Sequence, residues 1–308
     1  MNLRYAECIF AVIKAGSITA ASKTLYMSQS ALSQTLQRAE KMLGAEIFDR
    51  STEPISLTYA GERYVHAMSQ VMAISTDLQN EINEINLEFQ GRMRLGISLQ
   101  RGMQLLPLII PDFVRCYPLV RIELTERGSD TLERMLHEGI CDLALITTDP
   151  KYPDLVYELL ETEEVVLVCA KTFPLAQRFE EGAEIDIRET QGERFVALKH
   201  GHSVREVQED LFRSRNFHPE VLLETDSLEA AKRVAAGGAA LMLCPNVYVE
   251  QSPDVRQKVK CFRIKGIDYR RHFYLSYRRD MYLPRFMVDF GDIIKRKLHP
   301  ERIKEGLT

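Results

Sequence analysis

Past Gly91 the hydrophobic pattern of this chain changes its period, and that change limits what the chain can fold into. Up to about residue 58, apolar residues recur at helical spacing between short turns. Residues from about 59 to 89 continue as one long helical stretch without proline. From residue 92, short apolar runs alternate with helical patterns: strand RMRLGIS, helix 104–116, strand VRIELTE, helix DTLERMLHEG, strand CDLALIT. Two more strands follow, VYELL and EVVLVCA. A second set then begins with strand RFVAL, helix 203–215, strand EVLLET, helix SLEAAKRVAAG, stopped by Gly237-Gly238, and strand AALMLCP. Strands KCFRIK and HFYLSY precede a final helix near 284–297. Strands separated by helices indicate parallel βαβ units. Two such sets with crossing connections predict two α/β lobes and a cleft between them. At 308 residues and 45% hydrophobic content, the chain can bury more than one core.

The first regime is different. Leu3, Ala6, Ile9, Phe10 and Ile13 recur at helical spacing, and that helix ends at Ala15-Gly16. Ser17 caps a short helix, ITAASKTL, and Tyr26-Met27 make a turn. Ser28 is then the N-cap of SQSALSQTLQRAEKMLG, with Gly44 where a C′ glycine belongs. At ~100° per residue, Leu32, Leu36, Ala39 and Leu43 fall on one face of this helix. Ser30, Ser33, Gln34 and Gln37 fall on the other: short uncharged groups that both donate and accept hydrogen bonds. AEIFDR and PISLTYAG predict two short strands around a turn that carries Pro54, a wing. Short helix, tight turn and second helix make a helix-turn-helix, whose second helix enters the major groove. Gln bonds N6 and N7 of adenine and Ser several bases, so the polar face suits base edges. On spacing alone, an ordinary amphipathic helix pair remains open.

In the long stretch Val65, Met68, Met72, Ser75, Leu78, Ile82, Ile85 and Phe89 step by 3, 4, 3, 3, 4, 3 and 4 residues, close to a coiled-coil seam. About 30 residues at ~1.5 Å each make a rod of ~45 Å. A narrow stripe with polar flanks favours a dimerising rod over a helix packed on its own domain. A symmetric dimer makes two weak half-site readers specific on one rigid frame.

Composition narrows the partners. The net charge of −4 gives no global reason for nucleic-acid binding, so such binding must rest on a local surface. No run of about 18 apolar residues exists and Met1 to Tyr5 lack a signal-peptide core, which predicts a cytoplasmic protein without a membrane partner. Cys8, Cys116, Cys141, Cys169, Cys244 and Cys261 are far apart and mostly in apolar runs, as expected of reduced buried thiols. A redox-sensing disulfide is the alternative.

Residues 10 to 61 closely resemble the winged helix-turn-helix of LysR-type transcriptional regulators. The matching pieces are Phe10, AGSITAAS, SQSALSQTL, LGAEIFDR and LTYAG, in the family's order and spacing. The resemblance implies a major-groove face of Gln29, Ser30, Ser33, Gln34 and Gln37. It implies phosphate contacts at Ser28 and Arg50, and at Thr58 a phosphate contact or the cap of the next helix. Two positions depart from the pattern: Ser30 stands where many members have Pro, and Ala39 replaces the usual Leu before Glu40. Six Lys/Arg against five Asp/Glu over residues 1 to 60 mean that binding relies on placed contacts and repeated copies, not on a diffuse basic field.

The implied architecture is α/β: an all-α-type winged helix-turn-helix domain at 1–58, a linker and dimerisation helix at 59–90, and a two-lobed, periplasmic-binding-protein-like (type 2) effector domain at 91–308. Lobe one covers 92–162 and 268–308, lobe two 163–267. Ligands of such sheets bind beyond the carboxyl ends of strands, at helix N-termini. The segments that answer this description are Ser98, Gln100 and Arg101, then Gly128-Ser129, then Thr147-Thr148 on lobe one. On lobe two they are Lys199, His200, Gly201 and His202, then Asp226-Ser227. Each alone also reads as a loop cap or solvated residue. Together they predict a polar cleft, and Arg101, Lys199 and the helix ends favour an anionic small molecule.

His200 and His202 have no thiolate or carboxylate at ligand spacing, and no GxSxG, P-loop or HExxH occurs. No catalytic group, metal or cofactor is therefore expected. The expected partners are double-stranded DNA, a small-molecule effector and further copies of the chain (a dimer through the linker, two dimers in a tetramer), with RNA polymerase as a further candidate. A chromosome-organising protein, which would bind all DNA alike, and an enzyme on the two-lobed fold are the competing readings.

Overall fold

A computed structural model of the chain describes residues 3–52, 54–86, 90–265 and 270–299. It divides into two compact units, Met1–Glu81 with Glu138–Ile140, and Ile82–His137 with Cys141–Thr308.

The first unit opens with helices α1 (Leu3–Ala15), α2 (Ile18–Thr24) and α3 (Gln29–Leu43). The Ser17 hydroxyl accepts from the Ala20 amide at 3.1 Å and so caps α2. The turn into α3 places Tyr26 in the left-handed region at φ 53°, with its side chain 98% exposed. Ala21, Leu32, Leu36 and Ala39 pack with Ile9, Val12, Ile47 and Phe48 in one core. Full burial of Leu32 and Leu36 stabilises this small core by roughly 1.5–3 kcal/mol each. Leu43 corrects the expected apolar face. It is 42% exposed, because α3 stops at the left-handed Gly44 before its last turn can reach the core.

The wing is shorter than its sequence suggests. Only Phe48–Asp49 (β1) and Ser56–Leu57 (β2) pair, antiparallel. The TYAG that follows already belongs to α4 (Tyr59–Ile85). Thr58 caps that helix by accepting from the Gly61 amide at 3.0 Å while it donates to the Glu46 carbonyl at 2.6 Å. Gly61 is obligatory here, since a Cβ would stand 2.1 Å from the Ile47 carbonyl oxygen. Along α4, Met68 and Ala73 are buried, whereas Val71, Ile74, Leu78, Ile82 and Ile85 are exposed. Phe89, the last residue of the expected seam, lies outside the described residues, as do residues 266–269 at the expected lobe boundary and the end of lobe one past 299.

The second unit carries the sheet. β3 (Gln90–Ile97), α5 (Leu99–Cys116), β4 (Leu119–Glu126), α6 (Ser129–His137) and β5 (Leu143–Thr147) form parallel units. Then β6 (Leu155–Ala170) runs as one strand of 16 residues where two were expected. Next come α7 (Pro174–Arg178), β7 (Glu184–Ile185), β8 (Phe195–Leu198), α8 (Ser203–Ser214), β9 (Val221–Thr225), α9 (Leu228–Ala236) and β10 (Met242–Pro245). The chain closes with α10 (Asn246–Glu250), α11 (Pro253–Arg256), β11 (Val259–Ile264), β12 (Arg270–Arg278) and α12 (Arg285–Leu298).

The sheet order is β4-β3-β5-β12-β6-β11-β7, with β10 also on β6. Along Leu155–Glu164, β6 pairs with β12; along Val165–Ala170 it pairs with β10 and β11. One continuous strand therefore serves both lobes. Lobe one packs around Met93, Leu95, Ile109, Phe113, Phe273 and Phe290, and lobe two around the two faces of β6's second half.

Helix α5 starts five residues before its expected position, at Leu99. Pro107 and Pro111 sit on its exposed side, where an interrupted backbone ladder meets water. Arg101 is thereby placed inside the helix.

Candidate nucleic-acid interface and ligand cleft

On α3 the residues brought together on the outer side are Ser28, Gln29, Ser30, Gln34 and Gln37, all exposed, with Ser33 half-buried beside them. Their position follows from the opposite face. Once Leu32, Leu36 and Ala39 are buried, this face must point to solvent. Ser28 accepts from the Ala31 amide at 3.2 Å, and its hydroxyl lies 3.1 Å from that of Ser30. The N-terminal turn is thus held by its own side chains, with amides left for an anion.

Glu40 joins α3 to the wing. One carboxylate oxygen accepts from the Ile47 and Phe48 amides at 3.0 and 3.3 Å, and the other pairs with Arg50 at 2.7 Å. Arg50 stays 42% exposed, so its charge is positioned without being hidden. An open groove of about 850 Å³ runs between the end of α3 and the wing, lined by Gln37, Lys41 and Arg50 among others. Of the two roles expected for Thr58, the structure displays the cap.

Between the lobes lie two chambers. The front one, about 270 Å³, is lined by Ser98, Gln100, Gly128, Ser129, Thr147, Gly201, His202, Asp226 and Ser227, all named by the sequence. The back one, about 300 Å³, shares Ser129, Thr147 and Gly201 and adds Thr148. A Cβ on Gly128 would stand 3.1 Å from the Gly201 carbonyl oxygen, so the lobes approach closely at this point. Four helix starts face the front chamber. Ser98 precedes α5 with no side-chain capping bond, Gly128 accepts from the Leu132 amide at 3.0 Å, His202 precedes α8, and Ser227 caps α9 through the Ala230 amide. Ser129 is turned inward, accepting from the Thr147 amide at 3.0 Å.

Three expected cleft residues are elsewhere. Arg101 is 1% exposed, stacks 4.0 Å from the Phe273 ring centroid and pairs with the fully buried Glu163. Within α5 it points into the protein and lines neither chamber. Lys199 is tied on the surface to Asp226 at 2.6 Å, a contact that raises the lysine pKa and lowers that of the carboxylate. His200 is exposed, 3.8 Å from Glu209.

The sequence reading missed Arg271, Ser203 and Tyr248, which line the front chamber. Arg271 alternates with the buried Phe273 and Leu275, so it occupies an inward position of β12; that period-2 placement was its signal. Burial, before any other cause, pulls the pKa of Arg101 and Arg271 below the ordinary arginine value. In the back chamber Glu206 is raised, first by burial and then by Asp130, Asp210 and Asp149. Among the described residues no group of three or more His, Cys, Asp or Glu is placed to hold a metal ion, and no helix is long and apolar enough to cross a membrane.

The model described as "LysR substrate binding domain" matches residues 87–299, and that described as "Bacterial regulatory helix-turn-helix protein, lysR family" matches residues 3–62. The Bacillus subtilis (strain 168) protein "Uncharacterized HTH-type transcriptional regulator YybE" is 29% identical over 263 residues, 84% of this chain and 89% of that one. Among solved structures, full-length CbnR complexed with its target DNA is similar at TM-score 0.63, with 20% identity, covering 96% of this chain and 99% of that one. The regulatory domain of Synechocystis PCC6803 CcmR in complex with 2-PG is similar at TM-score 0.60, with 22% identity, over 69% of this chain and 99% of that one.

Proposed function

The chain belongs to the LysR family of bacterial regulatory helix-turn-helix proteins, and from that premise we propose that α3 reads base edges while the cleft between the α/β lobes receives the effector. It is a LysR-type transcriptional regulator with a DNA-binding and an effector-binding domain. We assign the first domain to residues 1–58, the linker and dimerisation helix to 59–90, and the effector domain to 91–308. Gln29, Ser30, Ser33, Gln34 and Gln37 take the bases; Ser28, Arg50 and the first amides of α3 take phosphates. The observation that carries this is the row of exposed amides and hydroxyls on a helix whose other face is locked into a core.

Two copies joined along the exposed apolar stripe of α4 place two readers on one frame, and two such dimers read paired half-sites. The effector favours one arrangement of the lobes and so re-spaces the readers. The chain acts in the cytoplasm, without a cofactor or catalysis of its own, and RNA polymerase is the partner that would receive the signal. CbnR, solved on its target DNA, and CcmR, solved with 2-PG, support a DNA partner and a small-molecule partner respectively.

Footprinting on the DNA upstream of the protein's own coding sequence tests the reading. Two spaced half-sites should be protected, and a metabolite that stabilises the protein should alter their spacing. Uniform coverage, with no preference over scrambled competitor at any salt concentration, would overturn it.

A further inference from the structure

The buried face of β12 begins with a charge. Arg271 lies directly opposite Glu163 in the β12–β6 ladder, with Nη1 3.5 Å from the carboxylate. Its Nη2 donates to the Ser203 hydroxyl at 2.9 Å. Glu163 is also the partner of Arg101. Two enclosed guanidiniums therefore share one enclosed carboxylate. Glu161, 3.8 Å from Arg101 and 26% exposed, and Glu206, whose charge also acts on Arg271, complete the balance only from the rim of the cluster. A buried positive charge without a full counter-charge is costly to maintain. Nε and Nη1 of Arg271 are enclosed and Nη1 faces Glu163, while the residue, 9% exposed, lines both chambers.

We propose that Arg271 is the anchor for the effector's anionic group, a carboxylate or phosphate held by the charge of its guanidinium next to the Ser129 and Ser203 hydroxyls. The proposal rests on the reading of the cleft as the effector site. The two chambers then decide the ligand's orientation. Asp130, Asp149, Glu206 and Asp210 line the back one beside Lys151, which pairs with Asp130, and Arg270, so an anion there meets more carboxylates than in the front one. The front one offers Met103, Leu198, Leu228 and Tyr248 to an apolar body. Its volume of about 270 Å³ is just below the roughly 300–1,000 Å³ of pockets for drug-sized ligands, which points to a smaller organic acid. The anchor is also placed to report occupancy. Ser203 starts α8 in lobe two, Ser129 starts α6 in lobe one, and Arg271 and Glu163 sit where the chain passes between the lobes. One bound anion would tie all four together.

The test uses the full-length protein. Its thermal midpoint is followed as acetate, isovalerate or methyl phosphate replaces chloride at constant ionic strength. A saturable rise is expected, and whether a carboxylate or the phosphate saturates at lower concentration identifies the head group. Arg271→Met should abolish the rise, and Arg271→Lys should keep it at severalfold weaker affinity. An undiminished rise in Arg271→Met, or no saturable rise in the wild type with any of the three, overturns the proposal. Should Arg271→Met fail to fold, Ser203→Ala, which leaves every buried charge in place, must weaken the apparent affinity severalfold; unchanged affinity there is equally fatal. Footprints of the same preparations separate the two readings: lost operator preference beside an intact anion response refutes the function and spares the anchor.

Discussion

The outer face of α3 and the floor of the cleft are both polar, yet their side chains face opposite physical problems. Ser30, Gln34 and Gln37 stay in water, so each remains satisfied whether or not DNA is bound. Arg101, Glu163 and Arg271 have left water and depend on one another. The difference teaches where function can be changed without touching the fold. The exposed polar row is separable from stability, and the cleft floor is not.

The strongest attempt to break that contrast is Glu163→Gln, which strips two buried guanidiniums of their shared carboxylate. We expect a loss of ~3–5 kcal/mol in urea unfolding, against a change within ~0.5 kcal/mol for Gln37→Ala. Equal, small effects would mean that the cleft floor is not under electrostatic constraint. Gln34→Ala comes next. It should cost ~1–3 kcal/mol of preference for the correct site over scrambled DNA with the unfolding curve unmoved; equal weakening on both DNAs would remove its base-reading role.

Ser28→Ala sharpens the boundary, since this residue caps α3 and is the one we propose for a phosphate contact. It should lower stability by ~1 kcal/mol as well as weaken binding on every sequence. A binding loss with no stability loss would show the cap to be idle. The smallest effect is alkaline. Burial first, then the bond to Asp289, pushes the Tyr117 phenol up to about 12, and burial with Glu158 does the same to Tyr277. An unfolded phenol ionises near pH ~10. The fold therefore keeps this contribution in full below about pH 10 and loses it progressively as the pH climbs toward about 12. Replacing both tyrosines with Phe should flatten the fall of the unfolding midpoint across that window; an unchanged slope would assign the alkaline loss to other groups.

The two regions also differed in how far the sequence revealed them. The polar row of α3 was readable because a helix writes its two faces into a few consecutive residues. Leu43 was misjudged because periodicity does not say where the helix leaves its core. The cleft is assembled from strand ends far apart in the chain, and the rule that ligands gather there found most of its lining. It failed at Arg101, where the helix starts earlier than Gly102 and the later prolines suggest. It missed Arg271 because an inward position two residues into a strand becomes visible only when Phe273 and Leu275 are known to be core. The sequence suggests two strands in place of β6 because Glu161-Thr162-Glu163 looks like a break between the apolar runs VYELL and EVVLVCA. Just beyond it, between Glu164 and Val165, one continuous strand changes partners.

Gly61 has a mechanical consequence. With no side chain of its own, it lets the first turn of α4 press against the backbone of Ile47, and Thr58 clamps the same junction. The rod and the reader therefore meet without a slack joint. A torque applied along the rod would reach the helix-turn-helix undamped, as through a gear keyed to its shaft.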